Sequence, residues 1–280
     1  CNHYSNYFHA RTEMLIRFGK PISLKPYYDR YKEEPRVVMM EINSLVHGKI
    51  KEMMLHVDDI ENYDAIDFLR ENGYGKKYAK SHGYKVNYLP SRLLSDQNLV
   101  NDLQKAKDEH PEEMAQVYAD TLKLAKGIEE LKIRDWLFER NPGTEALLLR
   151  GLGLVTLSPL FVASIIPTGL LFIIPEIFIK KMIKDQMFIS SFNVAVSAFV
   201  SIPICMIIPA ILLGCLVGPW WGLGYAVAFP LMFILAWNYI RLSKKFAGTW
   251  NFVRRKNRRA VAALRGLRRD IFKRLDNLLQ

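Results

Sequence analysis

One long part of the sequence lacks charged residues and histidine altogether: residues 186–240 contain no Asp, Glu, Lys, Arg or His. A membrane-spanning helix needs about 20 predominantly apolar residues, so this stretch has room for two. Residues 217–222 divide it, because their Gly and Pro break a helix and their paired tryptophans favour the interface between bilayer and water. The sequence therefore predicts a transmembrane helical hairpin over residues 185–240.

Cysteine is also scarce, and Cys1, Cys205 and Cys215 are too few for a metal quartet or a disulfide framework. Carboxylates are concentrated between Asp58 and Asp67, where a metal site is one interpretation. The sequence favours another, because acidic residues collect at helix N-termini and the glycine-bearing spacing of a calcium loop is missing. No metal site and no cofactor are therefore predicted.

Basic residues are unevenly distributed along the chain. There are 39 Lys and Arg against 28 Asp and Glu, a net charge of +11, and residues 241–280 carry the whole excess. Basic clusters also flank the uncharged stretch on both sides, and cytoplasmic flanks are rich in Lys and Arg, so both ends of the hairpin are expected in the cytoplasm. The predicted membrane-interface residues are Lys180, Lys181, Lys184, Trp220, Trp221, Arg241, Lys244 and Lys245.

Residues 241–280 predict a basic juxtamembrane helix that lies on anionic lipid. Nucleic acid is the competing partner for such a basic run, but the adjacent hairpin favours lipid, and no nucleic-acid partner is predicted. The apolar stripe of this helix is Val261, Leu264, Leu267, Ile271, Leu275 and Leu278. The residues predicted to contact anionic lipid are Arg254, Arg255, Lys256, Arg258, Arg259, Arg265, Arg268 and Arg269.

Residues 25–143 predict a helical cytoplasmic region. Apolar residues recur at helical spacing over residues 36–57, and Pro111, followed by two Glu, is typical of a helix start. Another helix is expected to end near Asn72, with Gly73 as its stop. Residues 74–88 interleave Gly, Tyr and Lys without apolar periodicity, which predicts a surface loop.

Residues 144–184 predict a re-entrant or interfacial helix pair. Residues 151–175 are uncharged, but Pro159, Pro167 and Pro175 interrupt them, and each interior proline removes a helix hydrogen bond. Such a pair would keep the N-terminal part of the protein on the same side as the basic flanks of the hairpin. The alternative is three full membrane spans.

The N-terminal residues carry a family signal. Residues 12–18 alternate well enough for a short strand, which Pro21 ends. The segments Asn2-His3-Tyr4, Phe8-His9-Ala10-Arg11 and Ile16-Arg17-Phe18-Gly19-Lys20-Pro21-Ile22 resemble the last core strands of glycerophospholipid acyltransferases. In that family an Asn-Tyr loop precedes an adjacent Phe-Arg pair and a strand that closes in Phe-Gly-x-Pro-Ile; here two residues separate Phe8 from Arg11.

The resemblance implies a fold and an activity. Long bacterial members of the family continue past the catalytic domain into a helical region and C-terminal membrane helices, as residues 25–280 do. It implies a mainly α membrane protein with the remnant of an α/β acyltransferase sheet in residues 1–24. Such proteins move a fatty acyl group from acyl-CoA or acyl-carrier protein to a glycerol-phosphate-type hydroxyl in phospholipid synthesis. The expected location is the bacterial inner membrane, with the N-terminal part in the cytoplasm.

The family's catalytic residues are not found in this chain. They are a His, acting as general base, and an Asp separated from it by four residues, and none of the six histidines has an Asp at that spacing. The family's Phe-Pro-Glu-Gly motif is also absent from the sequence. The chain opens at Cys1 within the expected sheet, so we expect both motifs upstream of it in a longer protein, and the chain alone to be inactive.

A second class of function is a non-enzymatic protein, either membrane-anchored and ligand-binding or accessory to a transporter. Ion and substrate pathways through membranes usually contain Asp, Glu, Lys, Arg or His, and residues 186–240 have none of these. The sequence therefore favours the enzyme class.

Overall fold

The structure, a computed structural model, describes residues 2–4, 13–182, 188–254 and 257–279, and helices dominate it. In chain order the elements are β1 (Asn2–Tyr4), β2 (Met14–Ile16), a 3-10 helix (Lys25–Tyr27), α1 (Tyr28–Glu33), α2 (Pro35–Met53), α3 (Tyr63–Glu71), α4 (Gly73–Ser81), α5 (Leu89–Glu109), α6 (Pro111–Glu130), α7 (Trp136–Arg140), α8 (Thr144–Thr168), α9 (Leu170–Met182), α10 (Ile189–Val196), two π-helical turns (Ser197–Ser201 and Pro203–Ile207), α11 (Ile208–Leu216), α12 (Pro219–Val253) and α13 (Arg258–Leu278).

The two strands pair antiparallel, with His3 opposite Leu15. Each strand has three residues, and a two-stranded ribbon of this size is marginally stable by itself. The expected remnant of a larger α/β sheet is therefore not confirmed. Phe8 and Arg11, which belong to the family resemblance, lie outside the described residues.

The chain forms two compact units. Unit 1 consists of Cys1–Glu139 together with Arg259–Gln280, and unit 2 consists of Arg140–Arg258. The predicted helical region falls in unit 1, where α2 covers most of the predicted residues 36–57 and α6 begins at Pro111 as expected. The largest fully buried side chains in unit 1 are Leu69, Leu93, Leu99, Leu103, Met114, Leu124, Leu137, Ile271 and Leu275.

The predicted loop over residues 74–88 is wrong for its first part, because α4 occupies Gly73–Ser81. Tyr74 and Tyr78 act as core residues: both are buried, and the Tyr74 ring packs edge-on against Phe272 at 5.2 Å. Gly75 allows the tight corner between α3 and α4, since a Cβ there would lie 2.0 Å from the Arg70 carbonyl oxygen. The pattern was misleading because tyrosine buries its ring while keeping a polar hydroxyl.

The C-terminal helix α13 is part of the core of unit 1. Ile271 and Leu275 are completely buried and Val261 nearly so. Leu264 also packs closely, because a Cβ added to Gly127 of α6 would lie 2.6 Å from its Cδ2 atom. The apolar stripe that was expected to face lipid therefore faces the protein instead. The physical reason is that neighbouring helices of unit 1 cover the apolar side chains of α13 and so remove them from water, as lipid would otherwise do.

A buried ion pair fastens α13 to the rest of unit 1. Arg268 donates from Nε to Oδ1 of Asp135 at 2.7 Å and from Nη2 to Oδ2 at 3.0 Å. The Gly73 amide donates to the same Oδ2 at 2.9 Å, so both carboxylate oxygens are hydrogen-bonded. The Arg268 guanidinium also lies over the Phe272 ring, 4.2 Å from its centroid, a cation–π contact.

A second ion pair joins α13 to α6. Arg274 donates to Asp120 at 2.8 Å and also bonds Asp270 on its own helix. Burial favours the neutral form of Asp120, but hydrogen bonds from Arg274, Lys123 and Gln116 outweigh it and hold the pKa of Asp120 below its ordinary value. The carboxylate is therefore charged, and attracts α13, at neutral pH.

We predict that Asp135→Ala loosens α13. The substitution leaves the Arg268 charge, whose side chain is 13% exposed, with only the more exposed Glu139 at 3.4 Å. Removing one partner of a buried pair costs about 3 kcal/mol, or roughly a hundredfold in an opening equilibrium. Hydrogen exchange of α13 peptides in the full chain should be faster by that factor.

The matched control for this variant is Glu52→Ala, which removes an exposed ion pair with Lys49. Exposed pairs contribute at most about 1 kcal/mol, so exchange should hardly change. Unchanged exchange of α13 in Asp135→Ala would show that its apolar contacts alone hold the helix.

Candidate membrane interface

Unit 2 contains three helices that are long and apolar enough to cross a membrane: Thr144–Thr168, Ser191–Leu216 and Pro219–Val253. Their large apolar side chains are turned outward, as shown by the exposed fractions of Ile166 (76%) and Phe199 (82%). A continuous apolar surface of this kind on a soluble monomer would be unusual. It is the surface that a lipid environment requires.

Side-chain hydroxyls satisfy backbone carbonyls beside helix prolines in unit 2. Pro159 cannot donate to the Val155 carbonyl four residues earlier, and the Ser158 hydroxyl donates to that oxygen at 2.7 Å. The Cys205 carbonyl stands four residues before Pro209 in the same way, and the Tyr225 hydroxyl donates to it at 2.6 Å. Prolines are tolerated in membrane helices when such partners replace the missing bond.

The uncharged stretch forms the predicted helical hairpin. α11 ends at Leu216 and α12 begins at Pro219, so the turn falls within residues 217–222 as expected, and Gly218 adopts a positive φ of 144°. Beyond the turn, a Cβ added to Gly222 would lie 2.4 Å from the Ala210 carbonyl oxygen and 3.0 Å from the Gly214 Cα atom. Small residues thus let the two helix backbones approach closely, as is typical in membranes.

Helix α8 packs extensively against α12, whereas α9 contacts α12 mainly through Phe172. Phe161 of α8 stacks on Tyr239 at 4.1 Å, and Phe172 of α9 stacks on Phe233 at 5.2 Å. α8 continues through Pro159 and Pro167 as one helix and is long enough to cross a membrane. The predicted re-entrant arrangement and its alternative, three full spans, both stay predictions.

Two belts of interface residues are spaced along α12. Trp220 and Trp221 are exposed at its start, and Arg241, Lys244 and Lys245 are exposed near its end. Arg241 follows Trp221 by twenty positions, which is about 30 Å of helix, and the hydrocarbon core of a bilayer is also about 30 Å thick. The spacing therefore matches aromatic and basic anchors on opposite faces of a membrane.

The other predicted interface residues are distributed as follows. Lys180 and Lys181 belong to the last turn of α9, which ends at Met182, whereas Lys184, Arg255 and Lys256 lie outside the described residues. Arg268 is paired with Asp135, and Arg265 is half-buried. The exposed members of the group predicted to contact anionic lipid are Arg254, Arg258, Arg259 and Arg269, and that contact stays a prediction.

A cavity of about 420 Å³ opens between α8 and α12 near the basic end. It was not foreseen from the sequence, although Asn238, Arg241 and Lys245 follow one another at spacings of three and four residues, which places them on one helix face. Its lining residues are Leu157, Leu235, Asn238, Tyr239, Arg241, Leu242 and Lys245.

The acidic cluster beginning at Asp58 is occupied by basic and amide partners. Lys51 donates to Asp58 at 2.6 Å, and Lys107 donates to Asp59, also at 2.6 Å. The Asn62 backbone amide donates to Asp59 in the turn before α3, where Asp64 is the acidic residue of the first helical turn. Within the described ranges, no group of three or more His, Cys, Asp or Glu is placed to hold a metal ion.

Helical content and apolar surface define the class as a mostly helical protein with candidate membrane-spanning helices. Comparison of the chain with protein-family models, with curated proteins and with solved structures gives no match.

We predict that Gly222→Val destabilises the hairpin. The added atoms would meet the backbone of α11, which cannot move aside without separating the helices. Overpacking of this kind costs about 1–3 kcal/mol. The aggregation temperature of the purified protein in detergent, followed by size-exclusion chromatography, should fall. The control is Gly224→Val on the same helix, where a Cβ meets nothing within 4 Å; an equal effect of both variants would contradict close α11–α12 packing.

We predict that the chain crosses the membrane an even number of times. It leaves unit 1 after Glu139 and returns to it at Arg259, and one folded unit lies on one side of a bilayer. Arg150 of α8 also donates a hydrogen bond to Thr249 near the end of α12, so these two segments lie at the same level.

Single-cysteine variants test the crossing number after the native cysteines are replaced by serine. A membrane-impermeant maleimide should label Gly143→Cys and Lys244→Cys from one side, and Val217→Cys, in the hairpin turn, from the other. Labelling of Gly143→Cys and Lys244→Cys from opposite sides would establish an odd number of crossings.

Proposed function

We propose that the chain is the C-terminal portion of a membrane-bound acyltransferase. The full protein would move a fatty acyl group from acyl-CoA or acyl-carrier protein to a glycerol-phosphate-type hydroxyl in phospholipid synthesis. The observation that carries the proposal is the order of features: a segment resembling the end of the acyltransferase domain in residues 1–24, then a helical region, then apolar helices.

In the proposed enzyme, chemistry and membrane attachment belong to different parts. A His upstream of Cys1 would take the proton of the acceptor hydroxyl as it attacks the acyl thioester, with an Asp orienting the imidazole. Unit 2 would hold the catalytic part at the bilayer, where the acyl chains of donor and product are located. The exposed Arg241, Lys244 and Lys245 would raise the local concentration of anionic acceptors.

The test begins upstream of the chain. About 200 residues, a typical domain length, should precede Cys1 and contain His-x4-Asp followed by a Phe-Pro-Glu-Gly-like segment. Membranes containing that longer protein should then transfer labelled acyl groups from acyl-CoA or acyl-carrier protein to glycerol 3-phosphate or lysophosphatidate. Replacing the upstream His by Ala should abolish transfer while the protein still reaches the membrane, and the 280-residue chain alone should be inactive.

Two results would contradict the proposal. One is an upstream sequence without both motifs; the other is a longer protein that carries the motifs, reaches the membrane and transfers no acyl group to any of these acceptors. A membrane-anchored binding protein would then be the better explanation.

A further inference from the structure

The cavity between α8 and α12 has one apolar side and one basic side. Leu157, Leu235 and Leu242 form the apolar part. Asn238, Arg241 and Lys245 form the polar part and follow one another along one face of α12, close to one helical turn apart each time. The site is therefore shaped for an amphiphile rather than for a purely polar or purely apolar ligand.

The basic side of the cavity is formed by two positively charged side chains, Arg241 and Lys245. Neither Arg241 nor Lys245 has an ion-pair partner among the residues that the structure describes. Arg241 is also the first ionisable residue after the uncharged stretch, which places it at the depth of lipid headgroups. A guanidinium with a neighbouring ammonium is well suited to a phosphate group, because arginine can donate two parallel hydrogen bonds to it.

Contacts between α8 and α12 position Leu157, the α8 residue that lines the cavity, and these contacts do not involve Arg241 or Lys245. The Tyr239 hydroxyl donates to the Leu154 carbonyl at 3.2 Å, and its ring stacks on Phe161 of α8. Nearer the end of α12, the Phe246 ring packs closely on Gly151 of α8, since a Cβ added to this glycine would lie 3.3 Å from the ring atom Cε2. These contacts hold α8 against α12 both before Leu157 (at Leu154 and Gly151) and after it (at Phe161). The cavity is therefore formed without a ligand.

We infer that this cavity binds one molecule of an anionic phospholipid. Its phosphate is held between Arg241 and Lys245, the Asn238 amide donates to a glycerol ester carbonyl, and the first part of an acyl chain lies against Leu157 and Leu235. The volume of about 420 Å³ falls in the range of ligand cavities, roughly 300–1,000 Å³. This site does not depend on the proposed acyltransferase activity.

Substitution of Lys244 is the control that distinguishes binding in the cavity from general attraction to a basic surface. It is exposed and stands between the two basic lining residues in the sequence, but it does not line the cavity. If a basic surface attracted anionic lipid diffusely, loss of any one of the three charges would weaken binding to the same extent. A built site depends on Arg241 and Lys245 only.

Native mass spectrometry of the full chain, purified in detergent, tests the inference with phosphatidylglycerol and phosphatidylcholine of identical acyl chains. One phosphatidylglycerol should be retained per protein, in preference to phosphatidylcholine. Arg241→Gln and Lys245→Gln should each weaken retention about tenfold, as expected for loss of a charge-assisted hydrogen bond, and Lys244→Gln should leave it unchanged. Inorganic phosphate at millimolar concentration should not displace the lipid, because it cannot use the apolar wall.

Leu157→Trp provides a variant that keeps every charge. It fills the apolar side of the cavity, so it should also abolish specific retention while the protein still elutes as one species on size-exclusion chromatography. Equal losses in Arg241→Gln, Lys244→Gln and Lys245→Gln would overturn the inference in favour of a diffuse basic surface. Equal retention of both lipids, displacement by phosphate, or full retention in Leu157→Trp would overturn it as well.

Discussion

The rest of the structure depends on the return of the last helix to the first part of the chain. α13 supplies Ile271 and Leu275 to a core that is otherwise built from residues before Arg140, and the Arg268–Asp135 pair fastens it there. Burying two charges is tolerable only when geometry is good and the remaining lone pairs are hydrogen-bonded. Asp135 meets both conditions. Since both ends of unit 2 lead into this one core, packing outside the uncharged stretch restricts how that stretch can cross a membrane.

Within unit 2 the controlling constraint is the absence of water as a hydrogen-bond partner in lipid. An unsatisfied carbonyl in hydrocarbon costs several kcal/mol. The hydroxyls of Ser158 and Tyr225 avoid this cost, because they donate to the carbonyls that Pro159 and Pro209 cannot reach. The Tyr225 bond also joins α12 to the preceding helical segment, so the same bond that satisfies a carbonyl fixes the hairpin. Close packing at Gly222 is possible because no side chain intervenes there.

What could be predicted from the sequence is what local chemistry decides. The division at residues 217–222 and the start of α6 at Pro111 both follow from residues that cannot continue or must begin a helix. The stripe of α13 shows the limit: periodicity tells which face of a helix is buried but not whether lipid or protein buries it. α4 shows another limit, because Tyr74 and Tyr78 count as polar in a pattern although their rings pack like apolar residues. Partners far away in sequence decide both cases.

The candidate site, too, could be predicted only in the part that depends on residues close together in the sequence. The flanking position of Arg241 and Lys245 identifies them as interface residues, but the opposing wall comes from Leu157, and nothing in the sequence specifies that α8 packs beside α12. Electrostatics also depends on this packing. The net charge of +11 on residues 241–280 overstates what this segment offers to a bilayer, because Asp135 and Asp120, which lie outside it, neutralise Arg268 and Arg274 within unit 1. Near the end of α12, Arg241 and Lys245 have no ion-pair partner in the part of the chain that the structure describes. At the proposed site, attraction to an anionic headgroup would therefore come from Arg241 and Lys245, which lie where the uncharged stretch ends.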